Sequence, residues 1–225
     1  MEIMDDLSYS RIVIAGRTQT GKTSFVRCAL LPWLGSFICY DPDLQFTGYG
    51  KIVETIPELR KAIVKDGHRR IIFQPRDLLM GMAEERVEEF ELICRTIDKL
   101  QNVTFIIDEI SHITRPEFRR SAFIPPVFAM IIKRREKLPH RIGVICTTQR
   151  LADSDINLLS QSRYSYSFQL NAHDAEYVSK KWGMGKDMQR QLEALPLYKY
   201  IKYNHETGAL STGTFEYVPY PGEQT

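Results

Sequence analysis

The chain carries 225 residues, 43% hydrophobic and 26% charged, with a net charge of +2; it can bury a full core, and with nothing resembling a linker a single unit over 1–225 is expected. Its longest apolar runs are a few residues, far short of the roughly twenty that span a bilayer, which excludes membrane insertion but not docking onto a membrane complex. Cys28, Cys39, Cys94 and Cys146 lie far apart without metal-type spacing and with no secretory leader, so reduced thiols in a cytosolic setting are expected.

In chain order, the apolar run Arg11–Ala15 reads as a first strand and feeds directly into Gly16-Arg17-Thr18-Gln19-Thr20-Gly21-Lys22-Thr23-Ser24. This is a complete phosphate-binding loop of the Walker A type. Its glycines let successive N–H groups turn inward toward phosphate oxygens, Lys22 reaches the β and γ phosphates, and the Thr23 hydroxyl ligates Mg²⁺. Residues 25–31 continue as a helix, whose N-terminus adds partial positive charge beneath the phosphates.

A second strand is expected over residues 35–40, ending in Asp41-Pro42, where proline cannot extend the ladder. A third, residues 70–74, stops at Pro75. Between residues 82 and 100 Val87, Phe90, Ile93, Cys94, Ile97 and Leu100 recur at helical spacing, the stripe of a helix packed on a sheet, with its glutamates on a solvated face.

Val103-Thr104-Phe105-Ile106-Ile107 runs unbroken into Asp108-Glu109, a strand covered on both faces that stops at two carboxylates, the Walker B pattern. There Asp108 holds the Mg²⁺ shell through water and Glu109 orients and polarises the attacking water. The adjacent glutamate favours hydrolysing ATPase motors over nucleotide kinases and simple switches. About forty residues on, residues 143–148 form another apolar strand with Gln149 at its polar tip, where it can contact the γ-phosphate and report its loss. Strands alternating with helices predict an α/β, mostly parallel sheet flanked by helices, which with the phosphate loop is a P-loop NTPase fold and, by the resemblance given below, a RecA-like one. Near the end, Tyr198 to Tyr217 read as a hairpin over about 197–218 turning at His205-Glu206-Thr207-Gly208, with its alternating tyrosines read as packing. Residues 180–186, with Trp182, Gly183 and Gly185, read either as a mobile contact loop or as a glycine-capped helix end. The five histidines share no ligand spacing, so no metal beyond the nucleotide's Mg²⁺ is assigned; His112, three residues after Glu109, could touch the site but is given no role in it.

Together these elements resemble the HerA/FtsK superfamily of P-loop ATPases. Asp41-Pro42 is similar to the Asp-Pro carried after the second strand there, and Thr148-Gln149-Arg150 to the sensor strand's end. Residues 155–170 and 171–178, with Asp174, are similar to the elements that follow the sensor. Leu151 stands where the family usually has proline, which bears on the local turn rather than the chemistry. The resemblance covers roughly residues 10–205 and, for a chain without accessory domains, points toward genome-packaging ATPases of tailless icosahedral viruses with an internal membrane. It implies ATP, Mg²⁺, double-stranded DNA bound without sequence preference, a homo-oligomeric ring such as a hexamer, viral capsid or internal-membrane proteins as docking partners, and action in the host cytoplasm or at the virion's packaging vertex.

Residues 113–141 hold eight basic residues, Arg115, Arg119, Arg120, Lys133, Arg134, Arg135, Lys137 and Arg141, against Glu117 and Glu136. As an insertion before the sensor strand, this segment can line a ring's channel and neutralise phosphates without reading bases. An arginine near the sensor strand can also act as a finger toward a neighbouring subunit's γ-phosphate: Arg141 first, then Arg135, Arg134 and Arg150. The alternatives are a related motor for DNA transfer, phage morphogenesis or secretion, an ATP-binding switch with negligible turnover, and a small-molecule kinase, disfavoured because no arginine-rich lid follows the third strand.

Overall fold

A computed structural model describes residues 9–76, 83–114, 142–152 and 156–219. Among these, nine strands form one sheet in the order β3-β4-β2-β5-β6-β1-β7-β8-β9, where β1 is Arg11–Ala15, β2 Phe37–Tyr40, β3 Lys51–Val53, β4 Arg70–Phe73, β5 Val103–Ile107, β6 Ile142–Thr148, β7 Tyr164–Ser167, β8 Lys199–Asn204 and β9 Leu210–Thr214. Strands β1 to β7 pair in parallel; β8 and β9 add antiparallel at one edge. This is the expected α/β P-loop class with its C-terminal hairpin.

The unbroken apolar runs of β2, β5 and β6 are buried along their whole lengths, as a sheet covered on both faces requires. Side-chain alternation divides them between two cores. Val13, Tyr40, Phe105 and Val144 pack with Phe90, Ile93 and Ile97 on one face. Ile12, Ile14, Cys39, Ile106 and Ile145 pack with Phe25, Val26 and Leu30 on the other.

Helix α1 begins at Lys22 rather than residue 25 and is one turn long, Lys22–Phe25. It then widens into a π-helical turn, Val26–Leu30, and closes in a 3₁₀ turn at Leu31–Trp33 containing Pro32. Helix α2, Ile56–Val64, and its preceding strand β3 had not been expected. Their signal is in Thr55-Ile56-Pro57-Glu58: Thr55 caps the Glu58 N–H at 3.4 Å and Glu58 reaches back to the Glu54 N–H at 2.9 Å, a variant of the capping box. Helix α3, Ala83–Ile97, is the expected striped helix. The short helices α4, Ser111–Thr114, and α5, Ile156–Ser160, follow. Helix α6, Ala172–Lys181, is capped by Asn171, and α7, Lys186–Glu193, precedes the hairpin.

Between α6 and α7 the glycine-capped reading holds. Gly183 has φ +70° and donates to the Lys180 carbonyl at 3.1 Å, while the Met184 N–H reaches Ser179 at 2.8 Å. The hairpin turns at Gly208, φ +72°, whose N–H meets the Asn204 carbonyl at 2.8 Å. Within the hairpin Tyr200 and Tyr203 do pack on the two cores. No helix of the described residues is long and apolar enough to cross a membrane.

Candidate nucleotide-binding site

The loop between β1 and α1 is fixed from both sides. The Gly16 N–H donates to the Thr148 carbonyl at 3.2 Å and the Arg17 N–H to the Gln169 carbonyl at 2.8 Å, so the loop is suspended between the ends of β6 and β7. A Cβ on Gly16 would lie 2.6 Å from Thr20 Oγ1 and 2.8 Å from Phe168 Cβ. Gly21 turns the chain into the helix with φ +105°, and a Cβ there would lie 2.8 Å from the Tyr198 ring. Glycine is thus required at both positions by space and, at Gly21, also by conformation. Inside the loop the Arg17 carbonyl accepts from Lys22 Nζ at 2.9 Å and from Thr20 Oγ1 at 2.8 Å.

Asp108 and Glu109 sit where β5 ends, and Thr147 on neighbouring β6 organises both. Thr147 Oγ1 donates to Asp108 Oδ1 at 2.8 Å and accepts the Glu109 N–H at 2.8 Å. Thr23 Oγ1 also reaches Asp108 Oδ1, at 3.2 Å. Glu109 leaves the strand with φ +51°, a left-handed conformation that glutamate rarely takes. Its Oε1 accepts from the Ser111 hydroxyl and from the Gln149 N–H, the latter at 3.2 Å. The Gln149 side-chain oxygen in turn accepts from Thr18 Oγ1 at 2.6 Å, which ties the tip of β6 to the phosphate loop.

The three charged groups are nearly enclosed: Asp108 is 3%, Glu109 6% and Lys22 7% exposed. Burial pushes the Asp108 carboxyl up to about 7, opposed by its bond from Thr147 and reinforced by the negative charges of Asp41, Glu109 and Asp43. Burial also lowers the Lys22 ammonium from its ordinary range, while Glu109 and Asp108 act to raise it. The Thr23 hydroxyl and Asp108 carboxylate form a hard oxygen pair of the kind Mg²⁺ takes together with phosphate oxygens. Among the described residues no cluster of three or more His, Cys, Asp or Glu could hold a metal alone.

Thr18, Gln19, Gly21, Lys22, Thr23, Ser24, Asp108, Glu109, Thr147 and Gln149 all line one cleft of about 520 Å³. Arg150, just past the tip, is exposed. Arg135, Arg141 and most of the basic insertion lie outside the described residues.

The cleft has lining residues that sequence reasoning missed: Arg27, Asp43, Gln45, Thr147, Tyr198 and Tyr217. Asp43 and Gln45 are delivered by the turn after β2. Buried Asp41 accepts there from the Gln45 and Phe46 N–H groups at 2.7 and 3.0 Å and from Gln74 Nε2 at 2.9 Å. Asp41-Pro42 was a legible signal for the turn but not for what it carries. His112 Nε2 lies 3.3 Å from Asp43, and its hydrogen bond keeps the Asp43 carboxyl below the ordinary range despite partial burial. Tyr198 and Tyr217, read with the other hairpin tyrosines as packing, do pack, on each other and through Tyr198 on Phe215, and they also line the cleft.

The turn after β6 is built without proline. Leu151 is buried in the core, and the Ala152 N–H is held at 2.8 Å by Asp174, whose other oxygen takes Asn171 Nδ2 at 2.7 Å. A buried side chain and a carboxylate thus fix the turn where a proline ring would have.

A parallel sheet carrying a glycine-hinged loop after β1 and paired acids after β5 defines the P-loop NTPase fold. Among solved structures the chain is similar to the genome packaging NTPase B204 of Sulfolobus turreted icosahedral virus 2 in complex with AMPPCP, at 17% identity and TM-score 0.67 over 90% of this chain and 96% of that one. It is also similar to VirB4 of Thermoanaerobacter pseudethanolicus, at 10% identity and TM-score 0.71 over 93% and 90%, and to the bacterial conjugative coupling protein TrwB, at 9% identity and TM-score 0.63 over 98% and 88%. No family model and no curated protein matches.

Proposed function

We propose that the protein is an ATP-hydrolysing translocase of double-stranded DNA that works as a homo-oligomeric ring, a hexamer, and drives a viral genome into a preformed capsid. The observation that carries the hydrolytic part is the convergence of Lys22, Thr23, Asp108, Glu109 and Gln149 on one cleft at the ends of β1, β5 and β6. In this reading the loop's N–H groups and Lys22 bind the β and γ phosphates. Thr23 and Asp108 are the residues that would hold Mg²⁺, which when bound neutralises charge on those phosphate oxygens.

Glu109 acts as general base toward the attacking water. Its carboxylate is oriented by the Ser111 hydroxyl and the Gln149 N–H, and its N–H is anchored on Thr147 of the neighbouring strand. Gln149, bonded both to Glu109 and to Thr18, would in this reading pass the loss of the γ-phosphate from the loop to β6. An arginine from the neighbouring subunit, Arg141, Arg135 or Arg150, would complete the site.

The cargo assignment draws on the basic segment at residues 113–141, on the sequence resemblance, and on the shared fold with B204. Likeness to VirB4 and TrwB favours a second reading, a motor for conjugative transfer, which would use the same site. Capsid or internal-membrane proteins, at the packaging vertex or in host cytoplasm, belong to the first reading only.

Phosphate release with and without duplex DNA tests the proposal. Duplex should stimulate the wild type, and Glu109→Gln should keep ATP bound while turnover falls by roughly 100-fold or more. Undiminished turnover in that variant would remove Glu109 as the base. Electron microscopy with duplex and a non-hydrolysable analogue should show rings around DNA; monomers only would defeat the motor.

A further inference from the structure

Viewed from β1, the sheet places β6 and β5, with Asp108 and Glu109 just past the end of β5, to one side of the phosphate loop and β7, β8 and β9 to the other. A triphosphate whose terminal group meets Asp108, Glu109 and Gln149 therefore directs its nucleoside away from them. On the far side Tyr198 and Tyr217 line the same cleft. Their rings are parallel within 3°, with centroids 5.6 Å apart.

This pair is held rather than merely exposed. Phe215 meets the Tyr198 ring edge-on at 5.3 Å and Phe25 of α1 at 5.5 Å, and the Cys28 thiol reaches the Val218 carbonyl at 3.5 Å. The segment after β9 is thereby laid along the loop's own helix. Tyr198 occupies the third position of a turn closed by the Lys199 N–H on the Pro196 carbonyl at 3.2 Å, with φ +61°. Turns of this kind normally place glycine or asparagine there. A bulky side chain at positive φ is costly and tends to persist where the ring has a task.

Elsewhere the lining near this helix is polar: Arg27, in the turn after α1, donates to the Gln45 carbonyl at 3.1 Å, and Asp43 lines the same cleft. The aromatic flank is thus the one suited to a base. We propose that Tyr198 and Tyr217 form the platform on which the purine of the bound nucleotide stacks, so that ligand choice is made by ring face. This rests on the nucleotide-hydrolase reading above.

Calorimetry on the full chain separates the two ideas, using ATP, GTP and inorganic tripolyphosphate with Mg²⁺. Stacking on one aromatic side chain is worth about ten-fold in affinity. Tyr217→Ala should therefore raise the Kd for ATP and for GTP by about ten-fold and leave that for tripolyphosphate within about twofold. Tyr217→Phe, which keeps the ring, should stay within about twofold of wild type for all three. Tyr198→Ala should act in the same direction, with a melting curve to confirm that it folds.

Unaltered ATP affinity in both alanine variants overturns the platform while leaving the hydrolase reading standing. Parallel loss of ATP and tripolyphosphate also overturns it, since the tyrosines would then be supporting the phosphate loop. A wild-type protein that binds none of the three ligands sinks the nucleotide reading and the platform with it.

Discussion

On the β5–β6 side of the cleft the polar residues answer to one another: Thr147 to Asp108 and Glu109, Gln149 to Glu109 and to Thr18 of the loop. On the side of β8 and the segment after β9 the surface is aromatic, and its residues are held by ring contacts and one thiol. The first wall rests on strands that are parallel and buried on both faces, where a shift of one residue would turn every side chain over. The second rests on an antiparallel edge hairpin, where β9 is mostly exposed and adjustment is cheaper. Rigid placement belongs where the buried charged groups converge; the aromatic wall can adjust more freely.

The largest effect that sharpens this contrast is expected from Lys22→Ala. It removes charge-assisted hydrogen bonds to the phosphates, each worth about 1.5–3 kcal/mol, so ATP affinity should fall by roughly 100-fold or more. Calorimetry should show tripolyphosphate affected equally. If Lys22→Ala weakened ATP less than Tyr217→Ala did, the ranking of the two walls would be reversed.

A step smaller is Thr147→Val, which keeps shape and β propensity but deletes the hydroxyl joining the two acids. The Glu109 N–H would be left without its partner, at a cost of about 1–3 kcal/mol, a fall in melting temperature of several degrees. With the acids no longer fixed, turnover should fall by about ten-fold while ATP binding persists. Normal turnover would mean that the backbone of β5 alone positions Glu109.

How much of this was legible in the sequence follows the same division. The loop, the acids and Gln149 could be read because their spacing is local and each terminates an apolar run. The sheet class followed from those runs, since β2, β5 and β6 have no polar alternation to betray an exposed face. Strand β3 escaped because it is three residues long and partly exposed, too short to carry a period. Thr147 escaped because threonine is an ordinary strand residue until its neighbour across the ladder is known. Tyr198 and Tyr217 escaped for a similar reason: alternation along a hairpin says which face a ring takes, whereas their place in the cleft depends on β7 bringing that hairpin beside the loop. The φ of Glu109 and of Tyr198 left no trace at all, because the residue types at those positions are not ones that favour a positive value.

The smallest effect expected concerns the cost of the charged wall itself. The Asp108 carboxyl titrates near 7 in the fold against an ordinary 3.8, so between those values the folded state holds a proton that the unfolded chain releases. Stability contributed by that proton is fully present below pH about 4 and is lost as pH rises through about 7. The nucleotide-free protein should therefore melt lower at pH 8 than at pH 5 on account of this group. Asp108→Asn, neutral throughout, should flatten that slope and raise the melting temperature at pH 8 by a few degrees, while abolishing turnover. Calorimetric melts of both proteins across this range provide the check, with the wild type repeated at pH 8 in the presence of Mg²⁺ and ATP. If the variant kept the full slope, the penalty would lie with another buried acid, and Asp41, also pushed up by burial, would be the next to replace. If the slope vanished, the most stringently ordered part of the cleft would also be the part that strains the empty fold, with the ligand's positive ion relieving what the aromatic side never has to bear.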